Sequence, residues 1–151
     1  MIVLGAHVKV KDKRYLAGFT WIEELTLRGD DSFAAPADLD EDGQLRELLT
    51  RTEGVIGEAK PDLFVLKTSE ITAMSQATIA HHAEGVILAA AGGPDGLPVL
   101  LRSRQKLARY AGSSRNTELV ERLCEALNES PKSPACREAA AAAVGGLKES
   151  Q

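Results

Sequence analysis

The sequence predicts an α/β fold that opens with a three-strand antiparallel meander and continues with strands alternating with helices. Three observations carry this. The first thirty residues hold three β-branched or alternating stretches separated by short polar turns. From about residue 40 the apolar period changes from strand-like to helical. Further on, the continuous apolar run "LFVL" lies between two helical stretches, as expected of a central strand covered on both faces.

Taken in order, "MIVLGAHVKV" is rich in β-branched residues and reads as a strand, with "KDKR" as a polar turn. "YLAGFTWIEE" reads as the second strand, and "LTLRG" as a third that ends at a Gly-Asp-Asp turn. Leu45, Leu48, Leu49, Thr52, Val55, Ile56 and Ala59 then fall at helical spacing, behind acids that suit a helix N-terminus, and Pro61 ends the helix. "LFVL" is the fourth strand and opens into a loop at Lys67. A long helix of small and apolar residues spans 71–91 and stops at Gly92-Gly93. "LPVLL" is the fifth strand, followed by a short helix from Gln105 to Tyr110 that breaks at Gly112. Leu119, Val120, Leu123, Cys124 and Leu127 make an amphipathic helix. "NESPKSP" is a linker in which Ser133 is the N-cap and Pro134 a first-turn residue of the last helix, "ACREAAAAAVGGL". Its small side chains allow close packing on a sheet. No repeat and no long linker divides the chain, so residues 1–151 are expected to form one domain.

Composition narrows the function. With 44% hydrophobic and 26% charged residues, the chain has the make-up of a soluble globular domain. Only 4% of residues are aromatic, which argues against base-stacking platforms. No apolar run approaches membrane-spanning length, and the N-terminal one is too short for a signal-peptide core. Cys124 and Cys136 make neither a disulfide framework nor a zinc site, so reduced thiols in a cytoplasmic protein are expected. The net charge of −4 disfavours indiscriminate coating of nucleic acid. Positive charge is nevertheless concentrated. Lys9, Lys11, Lys13 and Arg14 cluster near the start, and "RSRQKLARYAGSSR" carries Arg102, Arg104, Lys106, Arg109 and Arg115 without an acid. Together these hold half of the 18 Lys and Arg residues, leaving the rest of the chain strongly acidic.

The blocks "EAKPDLFVLK", "QATIAHHAEGVILAAAGGPDGLPVL", "RSRQKLARYAG" and "SPACREAAAAAVGGL" resemble, in that order, successive segments of the RuvC-type Holliday-junction resolvases. That family shows a Pro-Asp pair, a strand ending in Glu, and a long helix with an Ala-x-Gly-Val step. A Leu-Pro-Val strand, a basic segment ending in Gly, and a helix with an Asp-Ala-Ala-Asp-Ala-Leu pattern follow. The resemblance covers residues 40–147, and the first three strands by their order and the step "VLG". It implies a ribonuclease H-like fold: a mixed five-stranded sheet, the meander plus two parallel strands, with helices on both faces. It also implies a homodimer formed through the 71–91 helix.

Carried over residue by residue, the family's acids are missing. His7 stands at the first aspartate, Lys67 at the second-strand glutamate, and Cys136 and Ala139 at the last-helix pair. The implied chemistry is attack of water on a phosphodiester between two divalent metals. Magnesium needs carboxylate oxygens. An ammonium about 4 Å from a dication costs about 8 kcal/mol at an effective dielectric near 20. No metal is therefore expected, with magnesium entering only if displaced acids rebuild the site. Asp12, Glu70 and Glu138 are the nearest acids, each read more simply as a solvated charge; residue 138 stands about 100° round the helix from its neighbour 139. Neighbouring His81 and His82 cannot share one metal, though on the 71–91 helix they allow pH-sensitive association. "AGGPDG" follows a helix and is a turn rather than a phosphate loop. Cys136 with His7 lacks the orienting third group of a nucleophile site.

The expectation is a catalytically inactive, dimeric relative of the resolvases that binds branched or duplex DNA through the nine basic residues. Two other readings stand beside it. One is a scaffold whose acidic face meets a protein partner, and the other is a metal-dependent junction endonuclease using displaced acids.

Overall fold

The structure, a computed structural model, describes residues 1–69, 74–92 and 96–151. Strands β1 (Ile2–Lys11), β2 (Arg14–Glu23) and β3 (Thr26–Ala34) form the meander. Helix α1 (Glu41–Ala59) leads to β4 (Leu63–Lys67), α2 (Met74–Ala91) to β5 (Val99–Arg102), and α3 (Arg104–Ala111), α4 (Asn116–Glu125) and α5 (Pro134–Glu149) follow. The sheet order is β3-β2-β1-β4-β5, with β1 antiparallel to β2 but parallel to β4, and β4 parallel to β5. This is the mixed five-stranded sheet expected.

The two faces of the sheet carry separate cores. Strand alternation sends Leu4, Ala6, Phe64 and Leu66 toward α1 and α2. Val3, Leu63 and Val65 point to the other face, against Leu107, Leu119, Leu123 and the alanines of α5. β4 is buried along its whole length, which is why it reads as an unbroken apolar run.

The local signals act largely as expected. Asp12 and Lys13 turn the β1–β2 hairpin with both φ angles positive, the left-handed pair that matches strand twist. Asp40 caps α1 by accepting from the Gly43 amide at 2.8 Å, and Lys60 ends it in the left-handed region. Ser133 caps α5, with its Oγ accepting from the Cys136 amide at 3.1 Å.

The third strand departs from expectation. It does not stop at a Gly-Asp-Asp turn but runs to Ala34, paired with β2 across Asp30, Asp31 and Ser32. β3 is an edge strand, so its polar residues can face water, and charges on an edge discourage pairing with other chains. Gly29 is set by packing, since a Cβ there would overlap the indole of Trp21. The start of the long helix expected from residue 71 lies outside the described residues.

Helix α5 crosses the sheet obliquely and positions the site. Near its start its backbone lies on Gly18 of β2, then on Gly5 of β1. A Cβ on Gly5 would overlap the carbonyl oxygen of Ala139, and one on Gly18 the carbonyl of Ala135. Further along, Gly146 rests on Val65 of β4, and Glu149 reaches Arg102 of β5. The run Ala139–Val144 is fully buried because only small side chains fit so short a helix-to-sheet distance.

Candidate functional site at the parallel strand ends

His7, Lys67 and Arg102 stand side by side at one level of the sheet, His7 paired with Lys67 and Lys67 with Arg102. All three lie on the α5 face, where β4 and β5 end. β1 alone runs on, carrying Lys9 and Lys11, both exposed, on that face to the hairpin. The topology thus brings both basic segments to one end of the sheet.

The centre of this arrangement is an ion pair. Lys67 Nζ lies 2.8 Å from Glu138 Oε2, with the lysine side chain only 6% and the glutamate 21% exposed. Asn116, at the start of α4, donates from Nδ2 to Glu138 Oε1 at 2.8 Å. Asn116 Oδ1 is buried and accepts no hydrogen bond among the described residues. His7 Nδ1 lies 3.1 Å from the Lys67 carbonyl oxygen. Burial, and then the Lys67 ammonium, hold the His7 pKa below its ordinary value. The ring is therefore neutral at pH 7, with Nδ1–H donating to that carbonyl. For Glu138, burial works against ionisation, but the Lys67 ammonium, with the hydrogen bonds from Lys67 and the Asn116 amide, outweighs it and keeps its carboxyl below the usual range.

This changes the reading of α5. Cys136 and Ala139 do not face the cluster. Cys136 Sγ donates to the Asp31 carbonyl in β3 at 3.3 Å, and Ala139 packs on Gly5. Glu138 is not a solvated charge but the helix residue that meets Lys67. The rotation follows from the seating on Gly5 and Gly18, and from Thr20 Oγ1, which donates to the Cys136 carbonyl at 2.8 Å. The face toward His7 consequently carries Ala135 and Glu138, one helical turn apart.

The other candidates fall elsewhere. Asp12 sits at the hairpin tip, five residues or about 17 Å along the strand from His7. Glu70 lies outside the described residues. Burial pushes the Cys136 thiol pKa up, and its hydrogen bond leads away from His7, so the two are no nucleophile pair. His81 and His82 diverge: His82 Nδ1 meets Glu41 Oε1 at 2.8 Å, and His81 Nε2 lies 4.0 Å from Glu84 Oε1.

The nine basic residues divide into tied and untied groups. Arg14 Nε donates to the Ala35 carbonyl, Arg102 is held by Glu149, and Arg115 pairs with Glu118. Arg104 is partly buried at the start of α3. Lys9, Lys11, Lys13, Lys106 and Arg109 are exposed. A cavity of about 520 Å³ lies away from the cluster, between the hairpin and the start of α1 beside Tyr15, Glu41 and Gln44.

A two-metal centre does not fit these residues. Among the described residues no group of three or more His, Cys, Asp or Glu side chains is disposed to hold a metal. The single carboxylate of the cluster is already neutralised by an ammonium, and a neutral imidazole and one amide oxygen are poor company for a hard dication.

Sequence reasoning did not foresee three groups. Asn116 is 22 residues from its partner Glu138, and no spacing rule links them. Glu84 is buried on α2 and accepts from the Ser69 amide at 2.7 Å, so it fixes the chain just after β4. Glu149 meets Arg102 across 47 residues.

The meander and the two parallel strands, in the order β3-β2-β1-β4-β5 with helices on both faces, make up the ribonuclease H-like fold. The chain superposes on Thermus thermophilus RuvC in complex with a Holliday junction substrate with a TM-score of 0.82, at 15% identity, over 99% of this chain and 95% of that one. A second Thermus thermophilus RuvC structure gives 0.78 at 16% identity, over 99% and 95%. The yeast mitochondrial Holliday junction resolvase Ydc2 gives 0.62 at 13% identity, over 97% and 77%. No protein-family model and no curated protein matches the chain in sequence. Likeness at this level of identity establishes the fold.

Proposed function

We propose that this chain binds branched DNA and does not cleave it. The observation that carries the reading is the ion pair of Lys67 with Glu138 at the parallel strand ends. It puts an internal cation where a resolvase of this fold would be expected to gather carboxylates around metal. Two features support retained DNA binding: the likeness to a RuvC seen with a Holliday junction, and the exposed cations Lys9, Lys11, Lys13, Lys106 and Arg109 at the same end of the sheet. Phosphate contacts of that kind give affinity that falls steeply with salt and depends on shape more than on base sequence.

The chain would act as a homodimer through the 71–91 helix, where His81, Gly85 and Ala89 form an exposed stripe at helical spacing. Its two buried thiols suit a reducing compartment such as the cytoplasm. The test is a labelled four-way junction and a matched duplex, each at two salt concentrations, with magnesium, manganese or EDTA. Salt-sensitive binding that prefers the junction and leaves it intact under every condition is expected. Metal-dependent nicking by the wild-type chain, absent in EDTA, would overturn the proposal.

A further inference from the structure

At the far end of α5 lies a second charged site. Arg102, Lys106, Arg109, Tyr110 and Glu149 line an open recess of about 150 Å³. Arg102 Nε donates to Glu149 Oε2 at 2.6 Å, and its Nη2 donates to Oε1, so the guanidinium grips the carboxylate with both arms. Arg102, Lys106 and Arg109 together hold the Glu149 carboxyl below the usual range. Among the described residues Lys106 and Arg109 form no close ion pair of their own. Three cations therefore converge on one anion, and the recess keeps a positive excess.

We propose that this recess is a binding site for a phosphate group, a phosphodiester of the DNA backbone, whose Arg102 guanidinium is occupied in the unbound chain by Glu149. A guanidinium fork that accepts a carboxylate accepts phosphate in the same geometry. The placement of Glu149 supports substitution by a ligand. It stands in the last turn of a helix, where the helix dipole disfavours an acid, so the cations hold it there rather than any benefit to the helix. The location suits the role too, since Arg102 is the sheet neighbour of Lys67, at the end where the exposed lysines gather. The site deepens the DNA-binding reading and rests on it only for the source of the phosphate.

The experiment compares wild type, Glu149→Gln, Glu149→Gln/Lys106→Gln and Glu47→Gln. Glu47→Gln controls for net charge, being an exposed acid of α1 away from the recess. Inorganic pyrophosphate is titrated by calorimetry and a labelled four-way junction by anisotropy, with folding checked by circular dichroism. An exposed ion pair contributes up to about 1 kcal/mol, so Glu149→Gln should tighten both ligands about fivefold. Lys106→Gln should cancel the gain, and Glu47→Gln should not reproduce it. If Glu149→Gln leaves pyrophosphate affinity unchanged or weaker, or Glu47→Gln matches its effect, the site is refuted whether or not the junction binds. A gain for pyrophosphate with no junction binding by any variant keeps the recess as a site for free phosphate and refutes the DNA reading instead.

Discussion

Replacing Glu138 by glutamine should be among the most damaging single changes to a charged residue in this protein. Lys67 has 6% of its side chain exposed, so its ammonium depends on Glu138 rather than on water. Unit charges 2.8 Å apart attract by about 6 kcal/mol at an effective dielectric near 20. Most of that repays desolvation, and breaking such a pair from one side typically costs about 3–5 kcal/mol. For a chain of this size each kcal/mol shifts the melting temperature by about 3 °C, which predicts a fall of roughly 10–15 °C for Glu138→Gln. Lys67→Met should cost less, because Glu138 keeps its bond from Asn116 and is 21% exposed. The double variant Lys67→Met/Glu138→Gln should recover most of the loss. Urea and thermal unfolding of the four proteins give the coupling energy. A Glu138→Gln protein within 0.5 kcal/mol of wild type, or a double variant whose loss is the sum of the singles, would refute the argument that the pair is held together by burial.

Three further outcomes are expected. The folded state holds the His7 pKa below its ordinary value, so the unfolded chain binds the extra proton first as pH falls. His7 therefore lowers stability progressively below about pH 6.5, and has no such effect above it. Glu138 adds stability above about pH 4.3 that is lost on further acidification through its depressed pKa. Urea midpoints of His7→Gln should lie flatter than wild type between pH 6.5 and 5, and an unchanged slope would contradict the assignment. Gly5→Ala should cost more than about 3 kcal/mol or prevent folding, because its Cβ meets backbone that cannot rotate away; an unfolding curve like wild type would show α5 seated more loosely. His7→Asp combined with Lys67→Glu places two new carboxylates beside Glu138, and should bind manganese measurably by titration of the free-ion resonance where wild type does not. No gain would mean the backbone frame itself no longer suits a metal.

Legibility tracked the range of the interaction. The start of α5 at Ser133 was readable because capping depends on a few neighbouring residues, and that of α1 only from the run of acids ahead of its apolar positions. The buried strand Leu63–Lys67 was readable because burial on both faces leaves a continuous apolar run. The end of β3 was not, since Gly29, Asp30 and Asp31 have turn chemistry and only pairing with β2 makes them a strand. In the site, His7 and Lys67 were singled out by the resemblance to the resolvases, and the parallel pairing of β1 with β4 sets them side by side. Glu138 was misjudged because the rotation of a helix lying on glycines is decided by tertiary contacts, and one residue of slip turns an alanine into a glutamate. Asn116 and Glu149 carry no local mark, as their roles exist only once distant segments meet.

The seating of α5 also has a mechanical consequence. The helix is a beam clamped near one end by Gly18 and Gly5 and near the other by Gly146. Sliding it by one turn would move it about 5.4 Å and bring Ala142 or Ser150 to the place of Gly146, where a Cβ would overlap Val65. Residues 138 and 149 are therefore held about 16 Å apart by a rod that can neither shorten nor ratchet. An event at one end, such as release of Glu149 from Arg102, can reach the other only as tilt or as a change in rigidity. The separation between the two charged sites behaves as a fixed gauge, built into the backbone rather than set by whatever the surface holds.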